Sequence, residues 1–461
     1  MVRHQKIHFI AIGGSIMHSL AIELKRQGVE VSGSDDEIFE PSRSRLATHG
    51  LLPKQEGWFP ERIHKDLDAV IVGMHAKADN PELQRAQSLG IPVYSFPEFI
   101  YRFAEDKQRI VVAGSHGKTT ITSMIMHVLK HYGRSFDYVV GAKVEGFDNN
   151  IRLSEEAPVI IIEGDEYPAA VFKPEPKFFY YHPHITVISG IAWDHANVYP
   201  TEDEYVRQFE KLADLGSVKA GSIVYNKEDA RLSSIVEGKE RPDVSLIPYQ
   251  THPYRVQNGL YELKLPNKSY LAVEVFGKHN MANIAAAKAV CMRIGITEDM
   301  FYEAIRSFKG AQRRLQLISE SPAISVFSDF AHAPSKVKAS IGALKERNPE
   351  RRLLACLELH TYSSLNRNFL PQYKDSMKAA DLRAVYFNPA KLLQKGLPTL
   401  HADDIRNAFN DPELQVFDNS HQMQEFIEKQ VEPGMNVLLM SSGNFDNLDL
   451  QAVGQKLCIN S

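Results

Sequence analysis

The sequence predicts an α/β protein of three domains built on mostly parallel sheets. Three observations carry this expectation. Short apolar runs alternate with amphipathic stretches almost from end to end. The runs are followed by Gly, Asp, Glu or His, the pattern of βαβ units. At 461 residues the chain is also too long for one ordinary core.

The runs are Ile7–Ile12, Ala69–Val72, Ile110–Ala113, Val159–Ile162, Ile185–Ser189, Ile324–Ser328, Leu353–Leu357 and Val437–Met440. Each is read as a buried strand followed by a helix-like segment. Ligands collect at the carboxyl ends of such strands, so the polar residues just after them deserve scrutiny first. Residues 215–275 read differently. Tyr254–Val256, Tyr261–Leu265 and Tyr270–Phe276 are β-prone runs between Pro and Asn turns, expected to form an antiparallel addition to the middle domain. Boundaries are expected at the charged stretch Ala104–Arg109 and near Phe308–Ala311, giving domains 1–106, 107–309 and 310–461.

Composition excludes several classes. Lys plus Arg is 53 and Asp plus Glu is 57, a balance that argues against a protein built to grip nucleic acid or an acidic membrane. Cys291, Cys356 and Cys458 are scattered, without a CxxC pair, which suggests a reducing compartment rather than a disulfide framework or zinc site. No apolar stretch approaches a membrane span. The amino-terminal apolar run is too short for a signal peptide and leads into a Gly turn. A cytoplasmic protein acting on small molecules is the expectation.

The strongest local signal is Ile110–Ala113 followed by Gly114-Ser115-His116-Gly117-Lys118-Thr119-Thr120 and the helical Ile121–His131. Backbone N–H groups and a helix N-terminus face a phosphate in such a turn. Lys118 reaches the terminal phosphates and Thr119 can hold Mg²⁺. Val112 stands where the full phosphate-loop pattern has its first Gly. The first domain opens on a second strand–Gly turn–helix, with Gly13-Gly14, and its next strand ends at Ser34-Asp35. That spacing resembles a nucleotide-diphosphate unit, although G-x-G-x-x-G is not fulfilled. Taken alone, this turn is as readily structural as functional.

Glu163-Gly164-Asp165-Glu166 and Asp194-His195 follow strands downstream of the phosphate loop. Carboxylate oxygens there suit Mg²⁺, which shares its ligands with phosphates, whereas His195 is a less usual ligand. Asn280 and Asn283 lie on one face of a helix that opens at Gly277, where Asn also serves as a cap. Arg313-Arg314 sits at the second boundary and suits phosphate clamping. Asp329 ends another strand.

In this order the motifs resemble those of the Mur ligases of bacterial peptidoglycan synthesis. They are GSHGKTT at 114–120, EGDE at 163–166, DH at 194–195, GKHNMANIAAA at 277–287, RR at 313–314 and DFAHAP at 329–334. The resemblance spans the whole chain. It implies a Rossmann-like first domain, a central phosphate-loop ATPase domain and a Rossmann-like third domain. It further implies an ADP-forming ligase that uses ATP and Mg²⁺ to activate a carboxylate as an acyl phosphate. By the same resemblance, Lys118, Glu163, His195 and Arg314 are catalytic, and Thr119, Glu163 and His195 hold Mg²⁺. Gly114–Thr120, Asn280, Arg313 or Arg314, and Asp329 bind ATP, with Asn280 on adenine and Asp329 on ribose.

Gly13, Gly14, Ser34 and Asp35 look like the branch that takes UDP-N-acetylmuramate. Within it, the stretches around Tyr167–Tyr181, Trp193–Asn197 and Val437–Phe445 are similar to ligases that attach the tripeptide L-Ala-γ-D-Glu-meso-diaminopimelate. This implies a role in peptidoglycan recycling, with L-alanine as the alternative amine. His360, Arg367, Ser441 and Asn444 are the candidate amino-substrate residues. Leu359-His360-Thr361-Tyr362 departs from that subgroup's pattern, and Arg207 occupies the place where many relatives carry a carbamoylated Lys. A dinucleotide-dependent oxidoreductase would leave GKTT unexplained, and a non-catalytic nucleotide binder has no need of two metal positions.

Overall fold

The computed structural model describes residues 5–215 and 221–459. Seven strands form one sheet in the order β13-β12-β11-β5-β8-β6-β7. They are β5 (Gln108–Ala113), β6 (Asp137–Val139), β8 (Val159–Glu163), β11 (Ile185–Ile188) and β12 (Ser222–Asn226), with β7 (Ile151–Arg152) and β13 (Ser245–Tyr249) at the edges. β5 lies parallel to both β8 and β11, and all three are apolar because helices cover such a sheet on both faces.

An amino-terminal sheet has the order β2-β1-β3-β4, from β1 (Lys6–Ile10), β2 (Glu30–Ser34), β3 (Ala69–Val72) and β4 (Val93–Ser95), all parallel. The carboxyl-terminal sheet runs β17-β18-β22-β19-β20-β21. Its members are β17 (Gln316–Glu320), β18 (Ser325–Asp329), β19 (Arg352–Leu359), β20 (Leu382–Phe387), β21 (Gln415–Phe417) and β22 (Met435–Met440). Only β17 is antiparallel to its neighbour. Val326, Leu354, Cys356, Val437 and Leu439 are fully buried in its core with Phe445.

Two expectations need correction. The run Val159–Ile162 leads not into a helix but into an antiparallel hairpin, β9 (Pro168–Ala170) with β10 (Lys173–Pro176). Pro168, Pro174 and Pro176 remove donors and restrict the backbone, which suits a short two-stranded edge and not a helix interior. The antiparallel addition is also smaller than 215–275. It comprises β14 (Tyr254–Gln257), β15 (Leu260–Lys264) and β16 (Tyr270–Val273), whereas Ser222–Asn226 joins the main sheet in parallel. Residues 216–220 of that stretch lie outside the described residues.

Contacts gather the backbone into two units. One comprises Met1–Gly114, Ile121–Ser189 and Gln208–Pro248; the other comprises Ser115–Thr120, Gly190–Arg207 and Tyr249–Ser461. Among the described residues no helix is long and apolar enough to cross a membrane.

Candidate active site

The first unit holds the amino-terminal turn. Strand β1 ends at Ile10, and the chain bends through Ala11 at φ 66° into Gly13-Gly14 and the helix Met17–Arg26. Gly13 N donates to Asp35 Oδ2 at 2.7 Å, and a Cβ at Gly13 would stand 2.9 Å from that oxygen. The Gly is there so that the carboxylate and the turn can approach. Burial pushes the Asp35 carboxyl up to about 7, although the Gly13 N–H works the other way. Ser34 Oγ accepts from Arg62 at 3.1 Å. The four predicted residues of this turn are therefore brought together, and Arg62 joins them.

Also in the first unit, Glu163 ends β8 directly across from Val112 of β5. Its Oε2 accepts from Gly141 N at 2.7 Å, and a Cβ at Gly141 would lie 3.1 Å from both carboxylate oxygens. Asp165 is engaged instead by Lys177 at 2.7 Å, so the acidic run divides its tasks.

In the second unit lies the phosphate loop itself. Gly117 has φ 72° and the helix Lys118–His131 starts at the next residue. Thr119 and Thr120 are buried, and Ser115 N donates to Gly190 O at 2.8 Å. Ser115 Oγ accepts from Ala192 N at 3.1 Å, tying the loop to the segment that carries Asp194-His195. His195 is in the left-handed region at φ 57°, a conformation of some cost that persists because its surroundings fix it. Asp194 Oδ1 accepts from His195 N at 2.8 Å, and Val198 and Tyr199 both donate to His195 O.

The carboxyl-terminal residues of this unit reach the same loops. Arg314 lies 3.4 Å from Thr119 Oγ1, whereas Arg313 turns away and donates to Ser441 O at 2.8 Å and Gly443 O at 2.6 Å. The two guanidinium groups thus part company, and only Arg314 meets the phosphate loop. Lys336 Nζ is 3.0 Å from Asp194 Oδ2, and Ser335 bonds His116 at 2.9 Å. Burial alone would raise the Asp194 carboxyl; the Lys336 ammonium beside it is the chief group holding it well below the usual range. Burial, reinforced by Lys336, pushes His332 down to about 3 and His116 down to about 4. Both imidazoles are neutral at pH 7.

Other predicted residues are placed differently from expectation. Asn280 donates from Nδ2 to Phe276 O at 2.8 Å and accepts from Asn283 at 3.2 Å. Asn283, which it meets, stands at the phosphate loop, beside Gly117. Asp329 accepts from Ser340. At the carboxyl ends of β19 and β22, Ser441 donates to Glu358, whose other oxygen is 3.4 Å from His360 Nδ1. Asn444 bonds Asn447 at 2.7 Å, and Arg367 is paired with Asp404.

Sequence reasoning missed Lys336, Glu358 and Asn283's place at the loop. Lys336 did carry a signal. A cation in the first turn of the helix Pro334–Arg347 opposes the helix dipole and calls for an anion nearby. Among the described residues no three His, Cys, Asp or Glu side chains gather into a ready-made metal cage. The Thr119 hydroxyl and the Glu163 carboxylate are oxygens of the kind Mg²⁺ takes in ones and twos alongside phosphates, so the donor chemistry fits that ion.

Three family models match in succession: "Mur ligase family, catalytic domain" over residues 6–108, "Mur ligase middle domain" over 112–291 and "Mur ligase, glutamate ligase domain" over 313–443. The UDP-N-acetylmuramate–L-alanine ligase of Persephonella marina is 30% identical over 89% of this chain and 90% of its own. The chain belongs to the Mur ligase family. The Escherichia coli K12 ligase named for UDP-N-acetylmuramate and L-alanyl-γ-D-glutamyl-meso-2,6-diaminoheptandioate is 27% identical, covering 96% of each chain. A solved UDP-N-acetylmuramate–alanine ligase of Thermotoga maritima shares the fold, with a TM-score of 0.70, 21% identity and 99% of each chain covered. This Mur ligase is accordingly an ATP-dependent, ADP-forming amide-bond ligase that works with Mg²⁺.

Proposed function

We propose that this Mur ligase joins the lactyl carboxylate of UDP-N-acetylmuramate to the α-amine of L-Ala-γ-D-Glu-meso-diaminopimelate in the cytoplasm, as a step of peptidoglycan recycling. The observation that carries the ligase chemistry is the meeting of Arg314 with Thr119 in the unit that also holds the Asp194–His195 turn. Domains 1–106, 107–309 and 310–461 then take the UDP-sugar, ATP and the amine in turn. Gly13, Gly14, Ser34 and Asp35 receive the UDP-sugar, with Arg62 beside them as a further cation.

The chemistry runs in two steps. The lactyl carboxylate attacks the γ-phosphate, giving an acyl phosphate and ADP; the amine then attacks that carbonyl and phosphate leaves. The protein's share is positioning and charge neutralisation, the usual division in phosphoryl transfer. Lys118 and Arg314 carry positive charge to the β- and γ-phosphates. Thr119, Glu163 and His195 are each candidates that would hold Mg²⁺, which would supply neutralisation of phosphate charge. Asp194, fixed by Lys336, holds the His195 backbone in its left-handed turn. Asn280 acts through Asn283, supporting the phosphate loop rather than contacting adenine.

For the amine, the polar ends of β19 and β22 favour a peptide. A tripeptide brings several carboxylates that need partners, because buried unpaired charge is costly. His360, Ser441, Asn444 and the half-exposed Arg367 offer more polar groups than one alanine requires. L-alanine is the second reading, favoured by the name of the Persephonella marina relative. The acyl-phosphate route is tested by labelling the muramyl carboxylate with ¹⁸O. One label atom should appear in the released phosphate; full retention of label in the product would rule the route out.

A further inference from the structure

Glu358 is 3% exposed at the end of β19, a poor place for a lone carboxylate. One of its oxygens, Oε2, accepts from Ser441 Oγ and from Phe445 N at 2.8 Å. The other, Oε1, faces His360 Nδ1 at 3.4 Å. Burial would raise this carboxyl, yet His360, Ser441 and the Phe445 N–H outweigh it, so Glu358 stays ionised. The His360 side chain is 31% exposed against 4% for Glu358, so a buried anion backs an accessible ring.

The ring is also held in place. A Cβ on Gly443 would stand 2.5 Å from His360 Nδ1 and 2.7 Å from Cγ, so the loop after β22 packs flush against the imidazole. Arg313 grips that loop through Ser441 O and Gly443 O. On the other side, Ser363 Oγ accepts from Ala196 N at 3.0 Å, which sets the segment after His360 beside the Asp194–His195 turn. An ordinary structural clasp on the loop needs Ser441 and Phe445 N; it has no need of an exposed imidazole.

We propose that Glu358 and His360 form a carboxylate–imidazole pair in which His360 is the general base for the amine. The inference rests on reading the ends of β19 and β22 as the amine site. In the tautomer that carries its proton on Nδ1, beside Glu358 Oε1, Nε2 holds the lone pair. An α-ammonium has a pKa of about 8, so at pH 7 it must lose a proton before it can attack. Nε2 takes that proton, and the imidazolium is stabilised by Glu358. The amine nitrogen then bonds the acyl carbon, the carbon–oxygen bond to phosphate breaks with its electron pair, and the second nitrogen proton departs with phosphate. The titratable and charged groups facing the pair are Glu358 on β19, Tyr386 on β20 and Arg313 from the segment before β17.

The test compares wild type, His360→Gln and Glu358→Gln with tripeptide and with L-alanine, each over a pH range of about 5.5–9 that brackets the titration of the α-ammonium. Amine-independent phosphoryl transfer is followed in parallel by isotope exchange within ATP. His360→Gln should lower kcat by about 100-fold, the usual loss for a general base, and leave kcat/KM following only the amine's own titration. Exchange should persist, which certifies the fold. Glu358→Gln should lower kcat in the same direction, since the imidazolium formed in the step loses its buried counter-charge. A raised amine KM with kcat intact would place the amine here and overturn the base. Unchanged amine kinetics in His360→Gln would overturn both the base and the amine site.

Discussion

Lys118→Ala abolishes ligation in a protein that still folds. Lys118 opens the helix Lys118–His131 at the end of the phosphate loop, where the helix N-terminus and the backbone N–H groups already favour an anion. On the proposed function, the side chain adds a full positive charge beside the phosphate being transferred, where negative charge moves to the leaving oxygen. Removing such a group forfeits several kcal/mol, on the order of a hundredfold or more in rate. The check is turnover at saturating substrates together with the melting temperature. Near-normal turnover in a folded Lys118→Ala protein would remove the ATP site from this loop.

Gly117→Ala should come close to the same loss by a different route. Gly117 has φ 72°, a conformation that costs an L-residue about 1 kcal/mol or more. Space is the larger obstacle: a Cβ there would stand 2.2 Å from Asn283 Oδ1. Asn283 has little freedom to retreat. It is buried, its Nδ2 donates to Asn280 Oδ1 at 3.2 Å, and Asn280 is anchored to Phe276 O at 2.8 Å. The loop must therefore move instead, and with it the N–H groups that cradle phosphate. A displacement of about 1 Å at such a site costs about 100-fold. We expect ATP kcat/KM to fall by about that factor with UDP-sugar binding retained. Measuring both separates a local loop shift from general unfolding. A Gly117→Ala enzyme with unchanged ATP kinetics would mean that the loop is far softer than its packing implies.

The parts of this protein legible in sequence were those written in consecutive residues. Strand β5, the Gly turn and Lys118 stand in one run, so the phosphate loop could be read directly. Ala69–Val72 is bounded as a strand just as its apolar run suggests. The parts that resisted reading depend on residues brought together from afar. Lys336 and Asp194 are 142 positions apart, and Glu163 meets Gly141 across 22. Nor could two adjacent arginines be told apart: Arg313 at φ 55° turns to the loop after β22, and Arg314 to Thr119. Nor does the motif show that Asn280 bonds a carbonyl and a second amide, Phe276 O and Asn283.

Which amine the enzyme uses is the claim most directly open to measurement. Phosphate release is followed with UDP-N-acetylmuramate, ATP and Mg²⁺, offering L-alanine and L-Ala-γ-D-Glu-meso-diaminopimelate separately and then together. The account predicts a kcat/KM for the tripeptide at least about 100-fold above that for L-alanine, a gap that polar pocket groups left unpaired by the smaller amine would produce. Arg367→Ala should raise the tripeptide KM more than that of ATP. A wild-type enzyme that prefers free L-alanine would contradict the account and make L-alanine its substrate.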